Sequence, residues 1–194
     1  VAKGFSKAVS KNAPGKTKLG LMSSQPRHHS MEGRNWKRLF EAFSIDGQVA
    51  HRPHFAQYSE PLGKEKTFSI MMLDVQKNFR PAPCEVTPEI ENFPFTNWIK
   101  SDSMTWVDMV LSLFYGSDAL LLNLFPGSGN PATQEPRIGE LLTQSRPGLE
   151  WISLKFSKDL KTKGVGIPWK EDAEEHVQIF QGQSMDELNA TSFQ

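Results

Sequence analysis

The most apolar stretch of the chain, DSMTWVDMVLSLFYGSDALLLNLFPG at residues 102–127, changes its period halfway. Met104, Val107, Leu111 and Phe114 fall near helical spacing. After Tyr115-Gly116-Ser117, the continuous apolar run from Ala119 to Phe125 reads as a buried strand. Either Leu120, Leu122 and Leu124 or their alternate neighbours Leu121 and Phe125 are then expected to face the core. Upstream, Trp36, Leu39, Phe40 and Phe43 repeat at three and four residues, which predicts a short amphipathic helix ending near Asp46-Gly47. KTFSIMMLDV (66–75) reads as a strand. RPAPCEVTPEIENFPF (80–95) carries four prolines that forbid a regular helix. PGSGNPATQEP is a polar turn, and RIGELLTQSR fits either periodicity. GLEWISLKFS alternates with Leu149, Trp151, Ser153 and Lys155 on one face, and GVGIPW and HVQIFQG are two further short strand candidates. Short strands between Pro/Gly turns, with few and short helices, predict an all-β sandwich or barrel.

Charge changes the picture at the two ends. Lys+Arg and Asp+Glu are 22 each, so net charge is silent about partners, but the distribution is polarised. Residues 1–31 contain Lys3, Lys7, Lys11, Lys16, Lys18 and Arg27 and no acid. From Glu171 to the end there are six acids and no Lys or Arg. With few apolar residues to bury, 1–31 reads as an extended arm. Such an acid-free segment suits a polyanion, because neutralising phosphates releases counterions without demanding a fixed geometry. A targeting remnant or an inert tail fits the same composition.

The enzyme-like motifs are weak. SKNAPGKT (10–17) approaches a phosphate-binding loop, but Ser10 stands where glycine is needed and no convincing strand precedes it. GSGNPA lacks the third glycine of a dinucleotide turn, and Pro131 interrupts the helix that should follow. His51 and His54 flank Pro53 with no carboxylate pattern to complete a metal site. Cys84 is the sole cysteine, which excludes an internal disulfide and a cysteine-built zinc site, and nothing in the sequence places a base beside it. A strand-loop-helix order around ALLLNLFPGSGNPATQEP would suit a thioredoxin-like enzyme, but no cysteine lies near that loop. The expectation is therefore no enzyme, no cofactor, no metal and no small-molecule substrate. No apolar run is long enough to span a membrane as a helix.

Three stretches resemble the major coat proteins of picorna-like viruses, the group that includes picornaviruses, dicistroviruses, iflaviruses and secoviruses. SMEGRNWKRLFEAFS (30–44) is similar to their amphipathic helix. MTWVDMVLSLFYGSDALLLNLF (104–125) is similar to their aromatic approach, turn and strand. GLEWISLKF followed by GVGIPW is similar to a late strand and a Val-Pro-aromatic strand. The chain begins with Val and ends in SFQ, and proteases of these viruses commonly cut after Gln.

The resemblance implies an eight-stranded antiparallel jelly roll over 32–182, an arm at 1–31 and a tail at 183–194 ending in a Gln cleavage site. It implies a structural subunit that joins other coat proteins in an icosahedral virion, assembled in the host cytoplasm. Genomic RNA would be held non-specifically by Lys3, Lys7, Lys11, Lys16, Lys18 and Arg27, with Trp36, Leu39, Phe40 and Phe43 as an interface or core helix. The alternative is a non-catalytic accessory subunit of an organellar assembly whose transit peptide has been removed.

Overall fold

All the strand pairing between named strands is parallel, where a jelly roll needs antiparallel pairs. The computed structural model describes residues 1–12, 17–23, 29, 32–53, 55, 58–60, 66–92, 98–127, 129–156, 163–166, 168, 176 and 180–184. Among these, β1 (Gly20–Ser23) pairs with β2 (Val49–Pro53), and β2 pairs with β3 (Cys84–Val86). A second sheet joins β4 (Glu89–Glu91) to β5 (Leu121–Asn123). Parallel neighbours require a crossover. Three helices supply it: α2 (Trp36–Phe43) between β1 and β2, α3 (Lys66–Val75) between β2 and β3, and α4 (Asp102–Phe114) between β4 and β5. α1 (Ala2–Asn12) precedes them and α5 (Pro136–Lys155) follows. The all-β expectation is thus replaced by alternating α and β.

The two sheets meet along one run of chain. Thr87 still donates its N–H to the His51 carbonyl on β2 (2.9 Å), and one residue later the Pro88 carbonyl accepts from Leu121 (3.0 Å). Pro88 has no N–H of its own, so the ladder lapses there and changes partner. Val86 is clamped to the far side by Asp118, whose carboxylate accepts the Val86 N–H (2.8 Å) while its N–H donates back to the Val86 carbonyl (2.8 Å). Residues 84–91 therefore serve β2 with one half and β5 with the other.

Apolar packing follows this layout. Trp36 and Phe40 of α2, Val49 of β2, Met72 and Val75 of α3, and Phe79 form one buried cluster. Ile90 of β4, Met109 of α4, Leu124 and Ile138 of α5 form another, with Trp106, Leu120 and Leu149 against it. Phe55 and Leu73, backed by Ile70, Leu111 and Tyr115, link α3 to α4.

Four local expectations are corrected. KTFSIMMLDV is α3, a helix. RIGELLTQSR and GLEWISLKF are not separate elements but the single helix α5, which carries Pro147 inside it. The leucine run supplies only a three-residue strand. Leu124 is buried, whereas Leu121, Leu122 and Phe125 are exposed, so it is no central core strand. The described residues of 1–31 do not form an extended arm. Ala2–Asn12 is a helix whose Ser6 hydroxyl donates to the Ala42 carbonyl of α2, with Phe5 against Phe43 at 5.9 Å, and Gly20–Ser23 is a strand of the sheet. In GVGIPW and HVQIFQG the described residues, 164–166, 168, 176 and 180–182, form no strand; 167, 169, 177–179 and the tail after Ser184 lie outside the described residues.

Candidate polyanion-binding face and buried polar centres

The helical form of the N-terminal segment gives its charges a geometry. Lys3, Lys7 and Lys11 stand four residues apart, so on α1 they form one exposed stripe. Ala2, Ser6 and Val9 face the other way, toward α2. None of the three lysines makes an ion pair among the described residues. An open cleft of about 370 Å³ separates α1 from the end of α2, with Lys3 and Lys7 on one wall and Glu41 and Asp46 on the other. The acidic wall disfavours a phosphate inside the cleft, so the outer side of the stripe is the candidate face for a polyanion.

The other candidates of the basic segment separate. Lys18 is paired with Glu85 across the sheet at 2.9 Å. Lys16 and Arg27 lie outside the described residues. Lys37 and Arg38, exposed on α2, extend the basic end in a way the sequence reading left without a role.

Helix α2 starts where the Asn35 carboxamide oxygen accepts the Arg38 N–H (3.0 Å), a side-chain N-cap. Trp36 and Phe40 are buried, and Leu39 and Phe43 are half-buried against the same cluster. Trp36 stacks on Phe79, and the Phe40 ring meets His51 edge-on at 4.9 Å. This face is committed to the interior.

His51 belongs to a buried chain of polar groups that spacing alone did not reveal. Gln76 donates its Nε2–H to the Met72 carbonyl (2.8 Å), which turns its Oε1 toward the Ser23 hydroxyl. Ser23 donates to that oxygen, so His51 Nε2, 2.7 Å from Ser23 Oγ, must donate to it. A serine nucleophile needs the opposite arrangement, with the imidazole accepting the hydroxyl proton. Ser23, His51 and Gln76 are all fully buried, and the triplet ties β1, β2 and the residues after α3 together. His51 Nδ1 has no partner, and burial, with the Arg80 charge adding to it, pushes the imidazole down to about 3. His54 lies outside the described residues. Among the described residues no group of three or more His, Cys, Asp or Glu is placed to hold a metal ion. Cys84 is half-buried, and burial pushes its thiol up.

A second buried centre joins α3 to α4. Asp108, fully buried in mid-α4, receives the Lys66 ammonium on Oδ1 and the Lys100 ammonium on Oδ2, the latter at 3.1 Å. Lys100 also donates to the Glu91 carbonyl at 3.1 Å. Burial, with Lys66 beside it, pushes the Lys100 amine down to about 8, against the pull of Glu60 and Glu91. The residues are 42 and 8 positions from Asp108, and no local motif announces them.

No family model, no curated protein and no solved structure matches this chain. Among the described residues no helix is long and apolar enough to cross a membrane.

Proposed function

We propose that this chain is a non-catalytic, RNA-binding subunit of a larger assembly that holds the polyanion along α1. The observation that carries this is the exposed stripe of Lys3, Lys7 and Lys11 on a helix docked to the body of the fold. It stands at the end of the chain where residues 1–45 hold nine Lys or Arg against two Glu. A docked helix presents its charges at fixed spacing and loses less entropy on binding than a free arm.

A patch on α4 and α5 suits assembly. Phe114, Phe156 and Trp151 lie in ring-to-ring contact, and Trp151 and Leu154 are 56% and 86% exposed. Clustered exposed aromatics of this kind are enriched at protein contacts. A coat subunit and an organellar accessory subunit both have this role. The jelly roll implied by the coat-protein resemblance is absent, so the proposal rests on the charged helix and not on that family.

Fluorescence anisotropy with a labelled single-stranded RNA across a salt series tests the reading. Binding should weaken steeply as salt rises. Lys3→Gln, Lys7→Gln and Lys11→Gln together should flatten the slope of log K against log salt by about 2, the share of three released counterions on a single strand. Unchanged affinity and slope in the triple variant would remove α1 from the binding face.

A further inference from the structure

The geometry points to a phosphate-binding site where Lys66 and Lys100 converge on Asp108 at the carboxyl edge of the parallel strands. Lys66 opens α3, the crossover from β2, and Lys100 precedes Ser101, whose hydroxyl caps α4 after β4. In parallel α/β folds the strand C-termini and the following helix N-termini share one edge, and ligands sit in the crevice there. This fold brings two such crossings to the same carboxylate.

Charge and donors are both in surplus. Two ammonium groups contact one carboxylate, and among the described residues no other carboxylate touches either of them. The nearest alternatives are engaged elsewhere: Glu60 accepts the Ser101 N–H, and Glu91 accepts from the Asn123 amide (3.3 Å). Each ammonium carries three N–H donors. Lys100 uses two, on Asp108 and the Glu91 carbonyl, and Lys66 uses one. Three donors remain beside a buried carboxylate.

A fourth polar group lies one turn further along α3. Ser69, three residues after Lys66 and so on the same helix face, is fully buried with an unpartnered hydroxyl. A buried polar atom without a partner calls for an explanation. A dianion with several acceptor oxygens answers all of these at once. Lysines act on phosphate as point charges, which fits two side chains that share no planar fork. The Lys66 side chain, 17% exposed against 0% for Lys100, is the route from solvent.

Isothermal titration of the full chain with inorganic phosphate, and separately with adenosine 5′-monophosphate, at constant ionic strength tests this. Saturable binding in about the millimolar range or tighter is expected. Tighter binding of the nucleotide would identify a small phosphate monoester as the ligand, and equal binding would identify free phosphate. Lys66→Met should weaken binding at least tenfold, since Asp108 keeps Lys100 as its partner and circular dichroism should show the fold retained. Ser69→Ala, a minimal change in volume, should weaken it several-fold, and Lys3→Gln/Lys7→Gln/Lys11→Gln should leave it unchanged. Absence of saturable binding of either ligand to the unmodified chain would overturn the site. So would equal affinity in a folded Lys66→Met or Ser69→Ala protein, or loss of phosphate binding in the α1 variant.

Discussion

The buried imidazole of His51 ties the stability of the fold to pH. With Nε2–H committed to Ser23, a second proton must go to Nδ1, which has no acceptor and sits in the interior. The folded value lies near 3 and the ordinary value is 6.5. Between those limits the unfolded chain binds a proton that the folded chain refuses. Stability is therefore complete above pH 6.5 and falls as pH drops toward 3. At about 1.4 kcal/mol per unit, the full difference is on the order of a few kcal/mol. Urea midpoints measured from pH 7 to 3 should fall across this window, and His51→Asn, neutral throughout, should remove most of the decline that begins near 6.5. A decline unchanged in His51→Asn would assign it to the carboxylates instead.

At the scale of the element, the sharpest test is the crossing of α4 and α5. A Cβ placed on Gly148 would come within 2.8 Å of the Trp106 ring, so the helices approach through a missing side chain. Alanine is ordinarily the better helix former by about 1 kcal/mol. Here Gly148→Ala must push a large ring out of a packed cluster, and overpacking costs about 1–3 kcal/mol. Thermal unfolding should show a lower midpoint for Gly148→Ala, and a higher one would mean the ring yields freely.

The same pair, Pro147-Gly148, explains why α5 was not legible in the sequence. Two residues that usually end helices divided the pattern, and the second half then passed for an alternating strand. α3 was hidden differently. Six of the ten residues in KTFSIMMLDV are apolar, and a nearly uniform run carries no period. The α2 stretch has polar residues between its aromatics, so its helical spacing was visible, as was that of α4 up to Phe114. The parallel pairing had no local signature, since strands of three to five residues hold too few alternations to show their neighbours. The charges of α1 were plain as composition. Their spacing at 3, 7 and 11 was the helical signal, masked by the glycine and serine among them. Lys66, Lys100 and Asp108 become a cluster only through the crossovers.

At the scale of the whole molecule, the question is whether the two sheets unfold as one body. They share residues 84–91, and the Arg52–Glu89 ion pair joins β2 to β4. Leu73 of α3 is 1% exposed and packs with Phe55 against Leu111 and Tyr115 of α4 and its cap, while Lys77 lies over the Tyr115 ring at 5.4 Å. The Lys66–Asp108 pair adds a polar link between the same helices. Truncating a buried leucine costs about 2–5 kcal/mol, depending on how far the cavity collapses. If α3 and α4 merely touch, Leu73→Ala should loosen α4 and α5 and leave α2 and the first sheet unchanged. The shared run argues for the other outcome, because β3 and β4 are joined by only Thr87 and Pro88, so one sheet cannot come apart without straining the other. Amide hydrogen exchange followed separately on α2 and α4 should then show both slowed-exchange groups losing protection by the same free energy in Leu73→Ala. Loss confined to α4 would show two units that fold independently and meet only at their edges.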